Sequence, residues 1–151
     1  MDIKKILCPI DFSKYSLRAL DDAVDFAKKF GAKLILLHVV ELLESYDIYG
    51  DSFIPNFYFE KFSDIKKQAE EQLKKVAQKY TDLEIQTIIK EGIPFEEILE
   101  TEKEEKVDLV IMGSHGHTFS ILAFLGSVSE KVVRKSKKPV LILRYDDIKN
   151  K

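Results

Sequence analysis

Val107-Asp-Leu-Val-Ile-Met-Gly-Ser-His-Gly-His-Thr-Phe-Ser-Ile-Leu-Ala-Phe-Leu-Gly-Ser-Val-Ser129 is the stretch whose reading decides the fold. Its first part, residues 107–112, is an apolar run of the kind that fills a strand covered on both faces. The run ends directly in glycine. Glycines follow at 113, 116 and 126, and Ser127 comes after the last of them. A glycine at a strand's end lets the backbone turn sharply and lets a bulky ligand approach the main chain. A helical pattern begins at Ser127 or just after. A helix opening on Gly-Ser-Val-Ser offers free N–H groups, hydroxyls and the positive end of its dipole, which together make a candidate phosphate cradle. Two glycines three apart after a strand are also common in plain turns, so Gly113 and Gly116 by themselves decide nothing.

Working outward, Ile3 to Ile10 reads as a first strand that Pro9 brings to its end, because proline cannot donate to a ladder. Asp11-Phe12-Ser13 is a loop into a helix of about Tyr15–Phe30, with Leu17, Leu20, Ala23, Val24, Ala27 and Phe30 as its stripe. Ser13 or Ser16 can cap its start and Gly31 its end. Lys33 to Val40 is the second strand. The segment 41–60 carries turn signals and six aromatics (Tyr46, Tyr49, Phe53, Phe57, Tyr58, Phe59), which either cover a ligand or partner or pack down over adjacent helices. Phe62 to Tyr80 is a helix with Ile65, Ala69, Leu73, Val76 and Ala77 inward and a face of mixed charge outward. Leu83 to Lys90 alternates like an edge strand, and Pro94 is placed to open the third helix. Residues 107–112 form the fourth strand and 127–136 the fourth helix, with Val132 and Val133 inward. Residues 139–144 form the fifth strand.

Five strands alternating with four helices predict an α/β fold. The expected form is one domain over 1–145 with an open five-stranded parallel sheet, helices on both faces and a polar tail over 146–151. In order 3-2-1-4-5 the first and fourth strands are neighbours at the switch point, where such sheets take their ligands, and Asp11 faces Gly113 across one crevice.

Composition narrows the classes. The 151 residues carry a net charge of −2, with no basic patch for nucleic acid or an anionic membrane. Cys8 is the only cysteine, which excludes an intrachain disulfide, and its place in an apolar strand suits a small core residue. No apolar run approaches the ~20 residues of a membrane span. The opening Met-Asp-Ile-Lys-Lys has no signal-peptide core, so a soluble cytoplasmic protein is expected.

Several separated pieces resemble the universal stress protein family: Ile-Leu-Cys-Pro-Ile-Asp-Phe-Ser at 6–13, Leu-Leu-His-Val-Val at 36–40, residues 108–116, Gly-Ser-Val-Ser-Glu-Lys-Val-Val at 126–133 and Lys-Pro-Val-Leu-Ile-Leu at 138–143. The glycine spacing is that of its ATP-binding branch. The resemblance implies a Rossmann-like fold of the adenine nucleotide alpha hydrolase type. It implies that Asp11 meets the adenine and ribose end of the ligand, with Pro9 and Val39 walling the base. Met112 and Gly113 would pass close to the nucleoside. His115, Gly116, Gly126, Ser127, Val128 and Ser129 would hold the phosphates. An apolar slot, a short acceptor, backbone N–H groups and serine hydroxyls suit those tasks chemically. Read alone, Asp11 is equally a turn or N-cap acid, and Ser127 and Ser129 are equally helix caps.

No Lys or Arg lies between Lys106 and Lys131, and His117 stands where family members often carry a basic residue. ATP, or ADP or AMP, would therefore be held by dipoles, hydroxyls and His115 or His117, with Mg2+ or Mn2+ carried by the phosphates. The histidine pair lacks a clustered third ligand, so no protein-held metal is expected. No catalytic residue is assigned, and at most weak ATP hydrolysis is expected. The leading function is a nucleotide-dependent stress or signalling switch. Two other readings stay open. One is an enzyme splitting ATP at its α-phosphate, although the Ser-Gly-Gly-type loop of such enzymes is absent from residues 9–13. The other is a nucleotide-independent, chaperone-like interaction module using 46–59 and the apolar 120–125. The strand at 140–143 would be an exposed apolar edge, and pairing with its twofold mate predicts a homodimer, as the resemblance also implies.

Overall fold

The elements run β1 (Lys5–Pro9), α1 (Lys14–Phe30), β2 (Lys33–Glu41), α2 (Asn56–Ala77), β3 (Ile85–Gly92), α3 (Pro94–Glu104), β4 (Leu109–Gly113), α4 (Ser127–Lys135) and β5 (Val140–Leu143). These come from a computed structural model, which describes residues 1–41, 56–115 and 125–145, and of 56–60 the backbone alone. The expectations placed on Gly116, His117, Tyr46, Tyr49, Phe53, residues 120–124 and the tail 146–151 lie outside the described residues.

All pairings are parallel, and the order is β3-β2-β1-β4-β5, as the alternation predicts. Period-2 alternation sorts the strands' side chains into two cores. Ile6, Cys8, Leu34, Leu36, Leu109 and Ile111 meet Leu20, Ala23, Val24 and Ala27 of α1 and Leu73 and Val76 of α2. Leu7, Ile35, Leu37, Val110 and Met112 meet Ile98 of α3 and Val132 of α4. Each helix pair therefore covers one face of the sheet. Cys8 is fully buried, and burial pushes its thiol up to about 12, consistent with a core residue.

β4 is aligned beside β1 by one carboxylate. Asp108 accepts the N–H groups of both Lys4 and Lys5 at 2.9 Å, and its own N–H donates to the Lys5 carbonyl at 2.9 Å. This fixes the two strands whose far ends form the switch point. α1 starts on the cap expected for it: the Ser13 hydroxyl accepts from the Ser16 N–H at 3.2 Å, and Gly31 closes the helix at φ 65°. Pro94 opens α3, with Ile93 at the N-cap position.

Several sequence expectations are corrected. α2 begins at Asn56, so the end of the 41–60 segment is helical rather than loop. Phe30, Ile65 and Val133 are exposed by 45%, 42% and 44%. Val133 cannot share Val132's direction, because adjacent helical residues point about 100° apart. Phe30 is the last residue of α1, whereas Ile65 lies within α2 and nothing in its helical position explains its exposure. Tyr145, at the end of the expected domain, is tied to α1: its hydroxyl donates to Asp22 at 2.6 Å, and the Arg18 guanidinium lies 5.8 Å from its ring centroid. No described helix is long and apolar enough to cross a membrane.

Candidate functional site

β1 and β4 are adjacent, while their following helices leave to opposite faces, so their carboxyl ends flank a crevice. On the β1 side the chain leaves Pro9 still attached to β2. The Ile10 N–H donates to the Leu37 carbonyl at 2.8 Å, and the Ile10 carbonyl lies 2.7 Å from His38 Nδ1. A carbonyl can only accept, so Nδ1 carries the proton. Phe12 then takes φ 64°, a left-handed conformation unusual for a bulky side chain, and its ring lies 4.5 Å from that of His38. This turn aims the chain into α1. Asp11 Oδ1 accepts the Ser13 N–H at 2.9 Å, and the Asp11 N–H reaches Ser16 Oγ at 3.3 Å. Asp11 is thus a turn acid, one of the roles its sequence allows, held at the mouth of the crevice.

On the β4 side the two glycines are favoured by close approach rather than by positive φ. A Cβ on Gly113 would stand 3.2 Å from the Tyr15 carbonyl oxygen, so the first turn of α1 lies directly on the strand's end. A Cβ on Gly126 would meet Ser114 O at 3.3 Å and Ser129 Oγ at 3.4 Å. Gly126 is the N-cap of α4 at φ −68° and ψ 160°, not Ser127. Its N–H donates to the Ser114 carbonyl at 2.7 Å, and Ser129 Oγ donates to that same carbonyl at 2.9 Å. The Ser114 N–H is in turn bonded to Leu143 O at 2.9 Å. Ser114 therefore pins the start of α4 to the end of β4. The Ser114 hydroxyl lies 2.9 Å from His115 Nδ1, and the His115 ring sits 6.0 Å from that of Tyr15.

The first intrahelical bond of α4 runs from the Glu130 N–H to the Gly126 carbonyl at 2.9 Å. The N–H groups of Ser127, Val128 and Ser129 precede it, in positions that a helix leaves without an internal acceptor. Ser127 is exposed, while Ser129 is buried with its hydroxyl turned back to Ser114. The dipole's positive end and these N–H groups form an anion cradle built of backbone. Val39, Met112 and Val128 all belong to the apolar cluster on the α3/α4 face, and Pro9 is buried at the end of β1.

The structure thus brings Pro9, Asp11, Met112, Gly113, His115, Gly126, Ser127, Val128 and Ser129 to one end of the sheet, with Val39 on the neighbouring strand. Sequence reasoning missed Ser114, His38, Phe12 and Tyr15 as parts of this end. The only signal for Ser114 was its place between two glycines. Among the described residues no group of three His, Cys, Asp or Glu could hold a metal ion.

Comparison with known proteins gives one consistent result. The model of the Universal stress protein family matches residues 2–144. Universal stress protein MJ0577 of Methanocaldococcus jannaschii is 35% identical, with 93% of this chain and 94% of that protein covered. A solved structure of MJ0577 superposes with a TM-score of 0.85 at 34% identity, covering 97% of this chain and 99% of that one. Universal stress protein YxiE of Bacillus subtilis is 36% identical over 93% of this chain and 98% of its own length. A universal stress protein solved in complex with cAMP is similar at a TM-score of 0.62 and 25% identity, covering 97% of this chain and 100% of that one.

Proposed function

The chain belongs to the universal stress protein family, and from that premise we propose that it binds an adenine nucleotide between the carboxyl ends of β1 and β4, as a cytoplasmic, nucleotide-dependent stress or signalling switch. The observation that carries this reading is the start of α4. Three N–H groups without intrahelical acceptors are presented by a helix whose N-cap glycine is closely packed against Ser114 and Ser129, beside the turn that holds Asp11. That a family member has been solved with cAMP bound supports the adenine class of ligand.

In this reading Pro9 and Val39 wall the base, Asp11 accepts from the adenine or ribose end, and Met112 and Gly113 border the nucleoside. His115, Gly116, Gly126, Ser127, Val128 and Ser129 surround the phosphates. Their tasks differ more than the sequence implies. Ser127 supplies an exposed hydroxyl and an N–H, whereas the Ser129 hydroxyl is used on Ser114, leaving its N–H for the ligand. The donor set fits a nucleotide: neutral dipoles suit phosphate oxygens, and a divalent Mg2+ or Mn2+ carried by the phosphates would balance their charge, since residues 107–130 contain no Lys or Arg. ATP is the expected ligand, with ADP and AMP as alternatives. We propose no catalytic residue and at most slow hydrolysis.

The partner proposed is a second copy of the chain, paired along β5. This strand is one edge of the sheet, and each of its residues is part-exposed. The deciding experiment is denaturing extraction of the purified protein followed by nucleotide analysis, then calorimetry with ATP, ADP and AMP in the presence of magnesium. Co-purified or saturably bound adenine nucleotide is expected. An empty extract with no calorimetric signal overturns the reading and leaves a nucleotide-independent interaction module.

A further inference from the structure

We infer that His38, on β2, is a positioning residue for the nucleotide site: it latches the β1–α1 turn so that Asp11 is held ready for the ligand. This rests on the nucleotide reading above and adds a residue to it.

Ladder pairing between β1 and β2 runs from Lys5–Lys33 to Pro9–Leu37 and then stops. Ile10 is buried, so its two backbone polar groups need partners other than water. β2 supplies both. The N–H goes to the Leu37 carbonyl at 2.8 Å, and the carbonyl receives the His38 Nδ1–H at 2.7 Å. A side chain thus continues the pairing one residue past the point where the backbone stops.

The residues that follow need that anchor. Phe12 sits at φ 64°, a conformation that L residues rarely hold without support. Its support is His38: the Phe12 ring lies 4.5 Å from the His38 ring at a 39° tilt, so one imidazole bonds the residue before Asp11 and packs against the residue after it. Asp11 is therefore bracketed by two contacts to the same side chain. Its carboxylate then accepts the Ser13 N–H, and its own N–H donates to Ser16 Oγ, which completes the turn. The effect of His38 on a ligand passes through Asp11. Val39, the next residue on β2, is the proposed base wall, so the latch also sets the spacing between that wall and Asp11.

The test uses the full chain and three substitutions at position 38, read by calorimetry with adenosine and with ATP. His38→Leu removes the donor. His38→Asn places an amide N–H where Nδ1–H was, and His38→Gln carries its amide one carbon too far. Expected is a loss of affinity of about tenfold for His38→Leu, largely recovered by His38→Asn and not by His38→Gln. The loss should be equal for adenosine and ATP, because the His38 contacts fall on Ile10 and Phe12 of the β1–α1 turn, at the base and ribose end of the proposed site. A merely structural role would not produce non-additivity with Asp11, so a cycle with Asp11→Ala is included. His38→Leu added to Asp11→Ala should cost no further affinity. If His38→Leu does not fold, the contrast between His38→Asn and His38→Gln carries the test. Wild-type affinity in His38→Leu or His38→Gln, or full additivity with Asp11→Ala, overturns the inference while leaving nucleotide binding intact. A wild-type chain silent to adenosine, AMP and ATP sinks the nucleotide reading itself, and this inference falls with it.

Discussion

Ser129 Oγ donates to the Ser114 carbonyl at 2.9 Å, joining the start of α4 to the end of β4 across 15 residues of chain. The Gly126 N–H meets the same oxygen at 2.7 Å. One carbonyl therefore anchors both the cap and the third residue of the helix that presents the anion cradle. Removing the Ser129 hydroxyl leaves that oxygen with one partner, not none. Ser129→Ala is accordingly expected to cost only ~1 kcal/mol in denaturant unfolding. Its loss of ATP affinity should be small, since the N–H groups remain. A large affinity loss in calorimetry would assign the hydroxyl to the ligand instead.

Gly126→Ala tests the cradle more severely. The new Cβ would lie 3.3 Å from Ser114 O and 3.4 Å from Ser129 Oγ, and alanine is a poorer N-cap than glycine. Stability should fall by about 1 kcal/mol, and ATP binding should weaken while adenosine binding is retained. Equal losses for adenosine and ATP would show that the phosphates do not sit at this helix start.

At Gly113 the obstacle is backbone, since the Cβ would press on the Tyr15 carbonyl carbon and oxygen at 3.3 and 3.2 Å. Backbone cannot rotate away as a side chain can. Gly113→Ala should therefore destabilise by roughly 1–3 kcal/mol through displacement of the first turn of α1. A thermal melt unchanged from wild type would refute the close approach.

Asp11→Asn and Asp11→Ala separate the turn from the ligand. Asparagine keeps an oxygen for the Ser13 N–H, whereas alanine loses it. Expected are a near-wild-type melt for Asp11→Asn and a loss of up to about 1 kcal/mol for Asp11→Ala. Nucleotide affinity should drop in both if the charge serves the ligand. Normal affinity in Asp11→Asn would return Asp11 to a purely structural role.

Cys8 gives a pH prediction. Its thiol is pushed from an ordinary 9.0 up to about 12 by burial alone. In the unfolded chain the thiolate forms first, so the native state's advantage is complete below pH 9 and declines as pH rises from there towards 12. Cys8→Ala should flatten part of that alkaline decline in denaturant titrations. A thiol reagent at pH 8 should label Cys8 only after unfolding, and rapid labelling of the native protein would contradict its burial.

The β5 edge offers a test of self-association. Pro139 O and Leu143 O bond to β4, so in a parallel ladder residues 140 and 142 direct their N–H groups outward. Ile142→Pro removes one outward donor and spares the bonds to β4. Light scattering should show a dimer for the wild type and a shift towards monomer for this variant. A wild-type mass that stays monomeric at every concentration ends the dimer proposal.

Much of this molecule is legible in its residues read in order. Period-2 and 3.6-residue patterns are local properties, and with the right-handed crossover rule they determine five parallel strands, four helices and a crevice between the first and fourth strands. Ser13, Gly31 and Pro94 act on the few residues beside them, so their capping roles were readable too. Tertiary structure decided what depends on residues far apart in the chain. Spacing could not say that His38 would reach the Ile10 carbonyl across 28 residues, or Tyr145 the Asp22 carboxylate across 123. Nor could it say that Gly113 is glycine because Tyr15 lies on it, or that Ser129 faces Ser114 rather than the crevice. Those outcomes follow from satisfying buried polar groups and filling space after the sheet has assembled, and no periodic pattern along the chain encodes them.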